Sequence, residues 1–253
     1  MNPILARTPY QGVVQILRFN GRFYLVTATG VCAALLALPF LSPIEQATLL
    51  LGVAPALFWL ASSLVVSHYI YDRFPLYDLS WILHRLHRVP RRWINIHCGF
   101  DETSGLLAVL FPEASGQVVD IFDPEIMTET SIHLARRAKP CAIQSTTAHY
   151  DALDFNDCWF DVAFVLFAAH ELRRHEQRVR LFREIARILV PGGDLILMEH
   201  ARDGWNFLAF GPGFLHFFSK REWRRAASEA GLTMQAEFTR TPFIHVCILL
   251  RTR

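Results

Sequence analysis

Hydrophobic positions are concentrated near the N-terminus, where two long apolar runs follow one another. Residues 23–41 and residues 46–71 contain no charged side chain, and a helix that crosses a bilayer needs about 20 mostly apolar residues. The polar sequence SPIE at residues 42–45, between the two runs, suits the tight turn of a helical hairpin. The pattern therefore predicts two antiparallel transmembrane helices.

Two other interpretations of these runs stay open. The first is a pair of buried helices in a larger core, although Gly30, Pro39, Gly52 and Pro55 are more typical of membrane helices than of soluble ones. The second is a hairpin that enters one leaflet without crossing the bilayer. A cleavable signal peptide fits poorly, because the first run starts late and a second run follows at once.

Arginines flank the hairpin on both sides, whereas its turn carries only Glu45. Those before and after it are Arg7, Arg18, Arg22, Arg73, Arg85, Arg88, Arg91 and Arg92. Because positive residues stay on the cytoplasmic side, both ends of the hairpin are expected there. The sequence thus predicts a multi-pass protein of the inner (cytoplasmic) membrane, with its main domain on the cytoplasmic side.

Residues 77–93 place Leu79, Ile82, Leu83 and Leu86 at helical spacing, with arginines and histidines on other faces. This pattern predicts a basic amphipathic helix. Such a helix either lies at the lipid headgroups or packs on the domain that follows.

After Arg92 the pattern changes to short apolar runs that alternate with helical stretches, as in a parallel sheet with helices on both faces. Strands are predicted at residues 93–97, 117–121, 142–146, 161–167, 194–199, 233–239 and 243–251. No helix separates the last two strands, which predicts an antiparallel hairpin.

The expected fold class is α/β, a Rossmann-like seven-stranded mostly parallel sheet with an antiparallel last strand, preceded by two transmembrane helices. The predicted organisation is a cytoplasmic N-terminal segment (1–22), a transmembrane hairpin (23–71), a basic amphipathic linker (72–92) and a catalytic-type domain (93–253).

Composition narrows the possible partners. The net charge is only +2 and no long basic block occurs, so nucleic acid is not an expected partner. The five cysteines include no CxxC pair, which argues against a disulfide framework or a structural zinc site. A lipid bilayer and a hydrophobic small molecule are the expected partners, and the oligomeric state is not disclosed.

Residues 160–200 contain the segments FDVAFVLFAAHEL and REIARILVPGGDLILMEH. They resemble the fourth strand, the following helix, a Pro-Gly-Gly turn and the fifth strand of class I S-adenosylmethionine-dependent methyltransferases, especially the quinone-biosynthesis branch. The resemblance covers residues 93–253 and implies methyl transfer with S-adenosylmethionine as the cofactor. Pro191 is expected to stop the helix, and Gly192-Gly193 to allow a sharp return.

The resemblance places the cofactor loop after the first strand, where the family has an acidic residue followed by three glycines. In this chain Asn95 replaces the acid, His97 and Asp101 replace two glycines, and Gly99 remains. Asn95 is expected to accept a hydrogen bond from the methionine ammonium group. Either Asp101 or Glu102 supplies the missing charge, or Asp101 caps the next helix.

Further cofactor contacts are expected at the ends of the second and third strands. Asp120 is placed where such folds bind the ribose hydroxyls, whereas Asp123 before Pro124 is expected to cap a helix. Either His149 or Asp151 is expected to contact the adenine amino group.

The acceptor is expected over the carboxyl ends of strands four and five. His170 is the first candidate for a general base and His200 the second, with Glu171 beside them. His97, His170, Glu199 and His200 lack tight metal-ligand spacing, and no metal site is predicted.

Two segments near the C-terminus offer surfaces. Residues 205–218 hold six aromatic side chains around Gly211-Pro212-Gly213, which suits a lid over an apolar pocket, a lipid-contacting surface, or packing against the hairpin. Lys220, Arg221, Arg224 and Arg225 form a basic face that either meets anionic lipid or is simply solvated.

Three functions are compared. The leading hypothesis is a membrane-anchored methyltransferase that acts on a hydrophobic, membrane-associated small molecule such as a quinone, phenol, polyene or lipid. The second is another S-adenosylmethionine-dependent transfer on a quinone ring. The third is a non-catalytic cofactor-binding or scaffold protein, because the glycine loop is atypical.

Overall fold

The computed structural model describes residues 8–138 and 143–252. Its N-terminal part is a hairpin of two long helices, α1 (Gln11–Ala37) and α2 (Pro43–His68). A 3-10 turn (Leu38–Phe40) ends α1, and a π-helical turn (Tyr69–Arg73) ends α2. Including these turns, both helices are long and apolar enough to cross a membrane. Helix α1 begins at Gln11 rather than at residue 23, so it takes in much of the predicted N-terminal segment.

Polar residues fix both ends of the hairpin. At the turn, the Ser42 backbone N–H and hydroxyl donate to Glu45 Oε2 over 2.8 and 2.7 Å, and Pro43 begins α2. At the other end, the Asp72 carboxylate accepts the backbone N–H groups of Gly12 and Val13 over 2.6 and 3.3 Å. Asp72 therefore caps the start of α1 from the end of α2, which holds the helices antiparallel.

In the half of the hairpin nearest its turn, most apolar side chains are exposed. Leu36 is 75% exposed and Leu51 is 77% exposed, and Leu25, Val26, Phe40 and Ile44 are also exposed. Exposed apolar surface of this extent marks a contact with lipid or with another protein.

The linker after the hairpin does not form the amphipathic helix predicted for residues 77–93. Only a short 3-10 turn (Ser80–His84) is present, because the Asp78 carboxylate accepts the Ser80 N–H over 3.0 Å and forms a local turn. Leu79 and Ile82 are buried against the sheet. The linker therefore packs on the following domain and does not lie free at headgroups.

In the described residues seven strands form one sheet in the order β3-β2-β1-β4-β5-β7-β6. Strand β7 runs antiparallel to β5 and β6 on either side of it, and the remaining neighbours are parallel. They are β1 (Arg92–His97), β2 (Ser115–Asp120), β3 (Thr146–Thr147), β4 (Phe160–Leu166), β5 (Leu189–His200), β6 (Leu232–Thr241) and β7 (Ile244–Arg251). The helices of this domain are α3 (Ser104–Leu110), α4 (Thr130–Ala138), α5 (His175–Ile188), α6 (Gly204–Phe210) and α7 (Lys220–Glu229). The predicted fold class is confirmed.

Two local predictions differ from the structure. The third strand covers only Thr146–Thr147, which overlaps the predicted 142–146 at Thr146 alone, and residue 142 lies outside the described residues. The Pro-Gly-Gly sequence lies inside β5 and not in a turn before it, since α5 ends at Ile188 and β5 begins at the next residue. Gly192, with φ +72°, makes room for an irregularity in the β4–β5 register.

The hairpin shares its core with the sheet domain. Ile70 from the end of α2 and Leu76, Leu79 and Ile82 from the linker pack with residues of β4, β5 and β7. The carboxyl ends of β1, β4 and β5 consequently lie beside the base of the hairpin.

Candidate active site

A cavity of about 490 Å³ lies between the base of the hairpin and the carboxyl ends of β1, β4 and β5. This volume is within the range of small-molecule and cofactor sites. Its walls come from α1, α2, the loop after β1, the region around the start of α4, the ends of β4 and β5, and residues 210–217. Three buried polar atoms at the walls have no hydrogen-bond partner among the described residues: Ser67 Oγ, His97 Nε2 and Glu171 Oε2. Such atoms are rare in folded proteins, and their convergence on one cavity indicates a ligand site.

The loop after β1 is tied to the hairpin. Glu102 accepts hydrogen bonds from Gln11 Nε2 over 3.3 Å, Gln15 Nε2 over 3.0 Å and the Tyr77 hydroxyl over 2.7 Å. Beside them, the Phe19 and Phe100 rings meet edge to face with centroids 5.1 Å apart. The position of the predicted cofactor loop therefore depends on α1.

Asp101 caps α3. Its Oδ1 accepts the backbone N–H groups of Thr103 and Ser104, each over 2.9 Å, and Asn95 Nδ2 donates to Ser104 Oγ over 2.8 Å. Of the two roles left open for Asp101, the geometry supports the cap. Asn95 Oδ1 has no partner within the described residues, so its acceptor capacity is available for the expected ammonium contact.

His97 is a neutral donor at the cavity wall. Its Nδ1 accepts the Gly99 N–H over 2.8 Å, which leaves the proton on Nε2. Burial lowers the pKa of His97, although Asp101 and Asp120 act to raise it. The Nε2–H lines the cavity and has no acceptor in the described part of the chain. His97 thus presents a side-chain donor where the family has a glycine.

Arg136, on α4, lies across the loop and was not predicted from the sequence. Its Nη1 donates to Asp120 Oδ2 over 2.7 Å and to the Cys98 carbonyl over 2.9 Å, and its guanidinium stacks on Phe122 at 4.0 Å. Gly99 has φ +105°, and a Cβ there would stand 1.8 Å from Arg136 Nη1. The only sequence signal was a basic last turn on the helix after β2.

These residues fit a bound S-adenosylmethionine after one movement. Asp120 stands at the end of β2, where it is expected to accept ribose hydroxyls, and one of its oxygens already accepts the Phe122 N–H over 3.0 Å. Its other oxygen is held by Arg136. The fit therefore requires Arg136 to swing away from Asp120.

His149 and Asp151, the candidates for the adenine contact, lie together beside the end of β2. His149 Nδ1 contacts the Asp151 carboxylate, and the Ala148 N–H donates to the Asp120 carbonyl over 3.1 Å. Asp123 accepts the Glu125 N–H over 2.9 Å in a turn, and the helix predicted after it is absent, since α4 begins only at Thr130. The structure brings His149 and Asp151 close to Asp120 but outside the walls of the cavity.

His170 is held by two carboxylates. Its Nδ1 lies 2.7 Å from Glu199 Oε2, its backbone N–H donates to Glu199 Oε1 over 3.2 Å, and its Nε2 lies 3.4 Å from Glu171 Oε1. Burial lowers the pKa of His170, but Glu199 and Glu171 outweigh it and raise the pKa to about 10. His170 therefore holds its proton at neutral pH, which disfavours the general-base role that the sequence suggested.

His200 has the opposite protonation. Its Nδ1–H donates to the Phe243 carbonyl, 3.1 Å away, so its Nε2 accepts from the Tyr71 hydroxyl, 2.8 Å away. Burial and the nearby positive His170 lower the pKa of His200 to about 4. The Phe217 ring stacks on it at 4.7 Å. His200 is thus a neutral imidazole in an apolar setting, aimed at a hydroxyl from the hairpin.

His216 and Tyr71 complete this side of the cavity and were missed in the sequence. The His216 ring centroid lies 5.2 Å from that of His170. Arg173 Nη1 joins their backbones, because it donates to the His170 carbonyl over 3.0 Å and to the His216 carbonyl over 2.7 Å. The four residues considered for a metal do not converge, since His97 bonds to Gly99 and His200 to Tyr71.

Residues 204–217 pack against the hairpin and also line the cavity. Phe207 meets Trp59 with centroids 5.3 Å apart, and Ser62 Oγ donates to the Ala209 carbonyl over 2.9 Å. Trp205 and Leu208 on the outer side of α6 are exposed. Three of the four basic residues of α7 are paired, through Arg224–Glu237 at 2.7 Å, Arg225–Glu229 at 2.8 Å and Lys220–Asp203 at 3.9 Å.

Known proteins share this fold. Residues 96–197 match the methyltransferase domain family model, and the chain matches no curated protein. An S-adenosylmethionine-dependent methyltransferase of Methanosarcina mazei is similar in structure, with a TM-score of 0.51 and 18% identity over 67% of this chain and 96% of that one.

Two further structures are similar. A methyltransferase of Aquifex aeolicus aligns with a TM-score of 0.53 and 14% identity over 71% of this chain and 93% of that one. A geranyl diphosphate methyltransferase in complex with geranyl diphosphate and sinefungin gives a TM-score of 0.51 and 12% identity over 73% and 81%. At these identities the likeness concerns the fold. Residues 96–197 therefore match a methyltransferase domain, and the chain shares the fold of S-adenosylmethionine-dependent methyltransferases.

Proposed function

We propose that this protein is a membrane-anchored methyltransferase whose acceptor is a hydrophobic molecule that enters from the bilayer. The supporting observation is the cavity, because residues of α1, α2 and the ends of β1, β4 and β5 share its walls. A hairpin that served only as an anchor would not line the site. The substrate site is thus built where the bilayer meets the domain.

The distribution of exposed apolar residues supports the membrane placement. Residues 25–40 and 43–58 extend beyond the cavity and rise roughly 24 Å at 1.5 Å per residue, against a hydrocarbon core of about 30 Å. Helix α6, with exposed Trp205 and Leu208, packs beside Trp59 and adds apolar surface next to the hairpin. Arg18 and Arg22 lie near the base and favour a cytoplasmic position for it.

Cofactor binding is assigned to the loop after β1 and the end of β2. Asn95 Oδ1 accepts from the ammonium group, the Nε2–H of His97 donates to the carboxylate, and Asp120 accepts the ribose hydroxyls after Arg136 withdraws. Gly99 leaves space for close approach of the ligand to the backbone. His149 or Asp151 contacts the adenine amino group.

When bound, S-adenosylmethionine supplies an electrophilic methyl group. As an acceptor oxygen gains that methyl, its own proton becomes strongly acidic, so a weak base is sufficient to remove it. The Tyr71 oxygen receives this proton while the Tyr71 proton passes to His200 Nε2, 2.8 Å away. Phe243 and Asn206 hold the other side of the His200 ring and fix the tautomer that accepts.

The chemical class of the methyl acceptor is inferred from the side chains that line the cavity. Phe167, Phe210 and Phe217 surround His200, so the reacting group is delivered on an apolar body. A quinol, a phenol or a prenylated compound has this combination of an apolar body and a nucleophilic oxygen. A structural neighbour named for geranyl diphosphate is an instance of the same fold with a substrate that carries an apolar prenyl chain.

The test uses the full-length protein in lipid nanodiscs with methyl-labelled S-adenosylmethionine and a lipid extract of the host. We expect label in the organic phase and a product heavier by one CH₂. Tyr71→Phe should lower the rate by roughly 10²-fold or more, the lower end of general-base contributions. Glu176→Gln, on the exposed face of α5, is the matched control and should behave as wild type.

Three outcomes would contradict the proposal. Product formed at the same rate by the Tyr71→Phe variant would remove the hairpin from the chemistry. A product with an amino group in place of an oxygen substituent would assign the second function, another transfer on a quinone ring. Absence of any heat or thermal stabilisation with S-adenosylmethionine would favour a scaffold.

A further inference from the structure

We infer that His170, Glu171 and His216 form a binding site for one divalent first-row transition-metal ion in the wall of the cavity. The three residues come from the ends of two separate segments, the turn after β4 and the turn after α6. Their ligand atoms all lie within 4.8 Å of one another. Two imidazoles with one carboxylate, and an open side, are a donor set that suits Zn²⁺, Mn²⁺ or Fe²⁺.

The spacing of the donors fits one ion after small side-chain rotations. Ligands about 2.1 Å from a tetrahedral ion lie roughly 3.4 Å from one another. His170 Nε2 and Glu171 Oε1 already lie 3.4 Å apart. Arg173 fixes the backbones that carry His170 and His216, so only side-chain torsions of His216 need to adjust.

A second observation points independently to a ligand at this place. Glu171 is only 7% exposed, yet its Oε2 has no hydrogen-bond partner among the described residues. A buried carboxylate oxygen is costly unless it is hydrogen-bonded or coordinates a cation. An ion at this position satisfies it.

The surroundings of His170 are those of a metal ligand. Glu199, which is fully buried on β5, accepts from His170 Nδ1 over 2.7 Å and from the His170 backbone N–H over 3.2 Å. A carboxylate on one ring nitrogen orients the histidine, and the ion binds the other nitrogen, Nε2, by displacing the proton that this nitrogen holds in the metal-free protein.

A second cluster of similar composition lacks these features. Glu237, His245 and Cys247 also lie close together. However, both Glu237 oxygens accept from the Arg224 guanidinium, over 2.7 and 2.9 Å. Both oxygens of Glu237 are thus satisfied by a cation of the protein, whereas Glu171 Oε2 has no partner among the described residues.

The open side of the proposed ion faces the cavity that His170, His216 and His200 line together. An ion there would bind an oxygen of the acceptor, lower the pKa of a bound hydroxyl and hold it near His200. This consequence rests on the proposed function. The metal site itself does not.

The experiment titrates Co²⁺ into the full-length protein in nanodiscs, prepared without a polyhistidine tag and stripped with a chelator. We expect one Co²⁺ per chain by elemental analysis and a visible absorption band from nitrogen and oxygen ligation. His216→Ala and Glu171→Gln should abolish the band. Glu199→Gln should weaken binding by about 10- to 100-fold, the usual effect of losing the carboxylate behind a ligating histidine.

His84→Ala is the matched control, since His84 is exposed on the linker and remote from the cavity walls. It should bind Co²⁺ as wild type does. Thermal unfolding of each variant separates loss of a ligand from loss of the fold, and His216, at the rim, is the substitution expected to fold best. Wild-type protein without a band, or a folded His216→Ala variant that binds as tightly as wild type, would overturn the site. Metal binding without methyl transfer would support the metal site and reject the proposed function. Methyl transfer without metal binding would reject the metal site and support the proposed function.

Discussion

The two halves of the cavity differ in origin. The proposed cofactor half is lined by the loop after β1, with His97 and Asp101, and lies inside residues 96–197, the part that matches the methyltransferase domain. The acceptor half uses Tyr71, His200 and His216, all outside that part. In the first half the polar groups bind one another, as Asp101 does with α3 and Asp120 with Arg136, and they also bind the hairpin through Glu102. In the second half they depend on the hairpin and on residues 204–217.

This difference separates the features that the protein shares with its fold from the features that are its own. A shared fold supplies the ends of β1 and β2, and its few departures, such as His97 for a glycine, adjust that half. The proposed acceptor half is completed by residues outside the matched region, namely Tyr71 after α2, His200 at the end of β5 and residues 204–217. The hairpin thus contributes a wall and a hydroxyl to the site in addition to two apolar helices.

The largest effect is expected from His200→Ala, which removes the proton acceptor of the second half only. We expect kcat to fall by about 10²- to 10⁴-fold, the usual contribution of general acid–base groups. The affinity for S-adenosylmethionine, measured by calorimetry, should stay unchanged because His200 does not touch the cofactor half. A parallel loss of cofactor affinity would show that the two halves are not separable.

The pH dependence of kcat tests the same half. His200 works only as the neutral imidazole, and because its pKa is lowered to about 4, protonation removes activity only as the pH falls through about 4. A histidine with the ordinary pKa of about 6.5 would lose roughly 30-fold at pH 5. A pH–rate profile with its acid limb near 6.5 would contradict a buried, neutral His200.

Gly99→Ala addresses the cofactor half. The backbone at φ +105° disfavours any side chain, and the new Cβ would collide with Arg136. We expect the free energy of unfolding to fall by about 1–3 kcal/mol, seen as a lower thermal midpoint without cofactor. The double variant Gly99→Ala/Arg136→Ala should recover the part due to the collision and keep the part due to the backbone. Equal midpoints for the single and double variants would reject the collision.

Arg136→Ala should give the smallest effect, and in the opposite direction. A partly exposed ion pair contributes about 1 kcal/mol at most, so releasing Asp120 should tighten S-adenosylmethionine binding by no more than about five-fold. Arg137→Ala, one residue along and exposed, is the control. Weaker binding in Arg136→Ala would mean that the guanidinium itself contacts the cofactor.

Sequence patterns predicted the sheet well because its alternation of strands and helices is local. The carboxyl ends of parallel strands share one edge, so the expectation that His170 and His200 stand near each other could be made without coordinates. The roles of these residues could not be predicted, since the pKa of His170 depends on Glu199 and that of His200 on burial.

Contacts between residues far apart in the sequence could not be predicted from the sequence patterns. Tyr71 belongs to an apolar run and carries no sign of a catalytic partner, yet a hydrogen bond joins it to His200. The helical spacing of residues 77–93 predicted an amphipathic helix, but burial of Leu79 and Ile82 against the sheet gave a turn and an extended linker instead. Tertiary packing overrides local periodicity in such short segments.

With the hairpin in the membrane as proposed, the packing of α6 on Trp59 and Ser62 determines how the acceptor reaches the site. This packing places the rim of the cavity level with the cytoplasmic leaflet of the bilayer. An acceptor with a long apolar tail then reaches His200 by lateral diffusion in the membrane, without passing through water. Turnover should then follow the mole fraction of acceptor in the membrane and not its bulk concentration. Dilution of the acceptor with inert lipid would slow the enzyme, whereas dilution of the whole suspension with buffer would not.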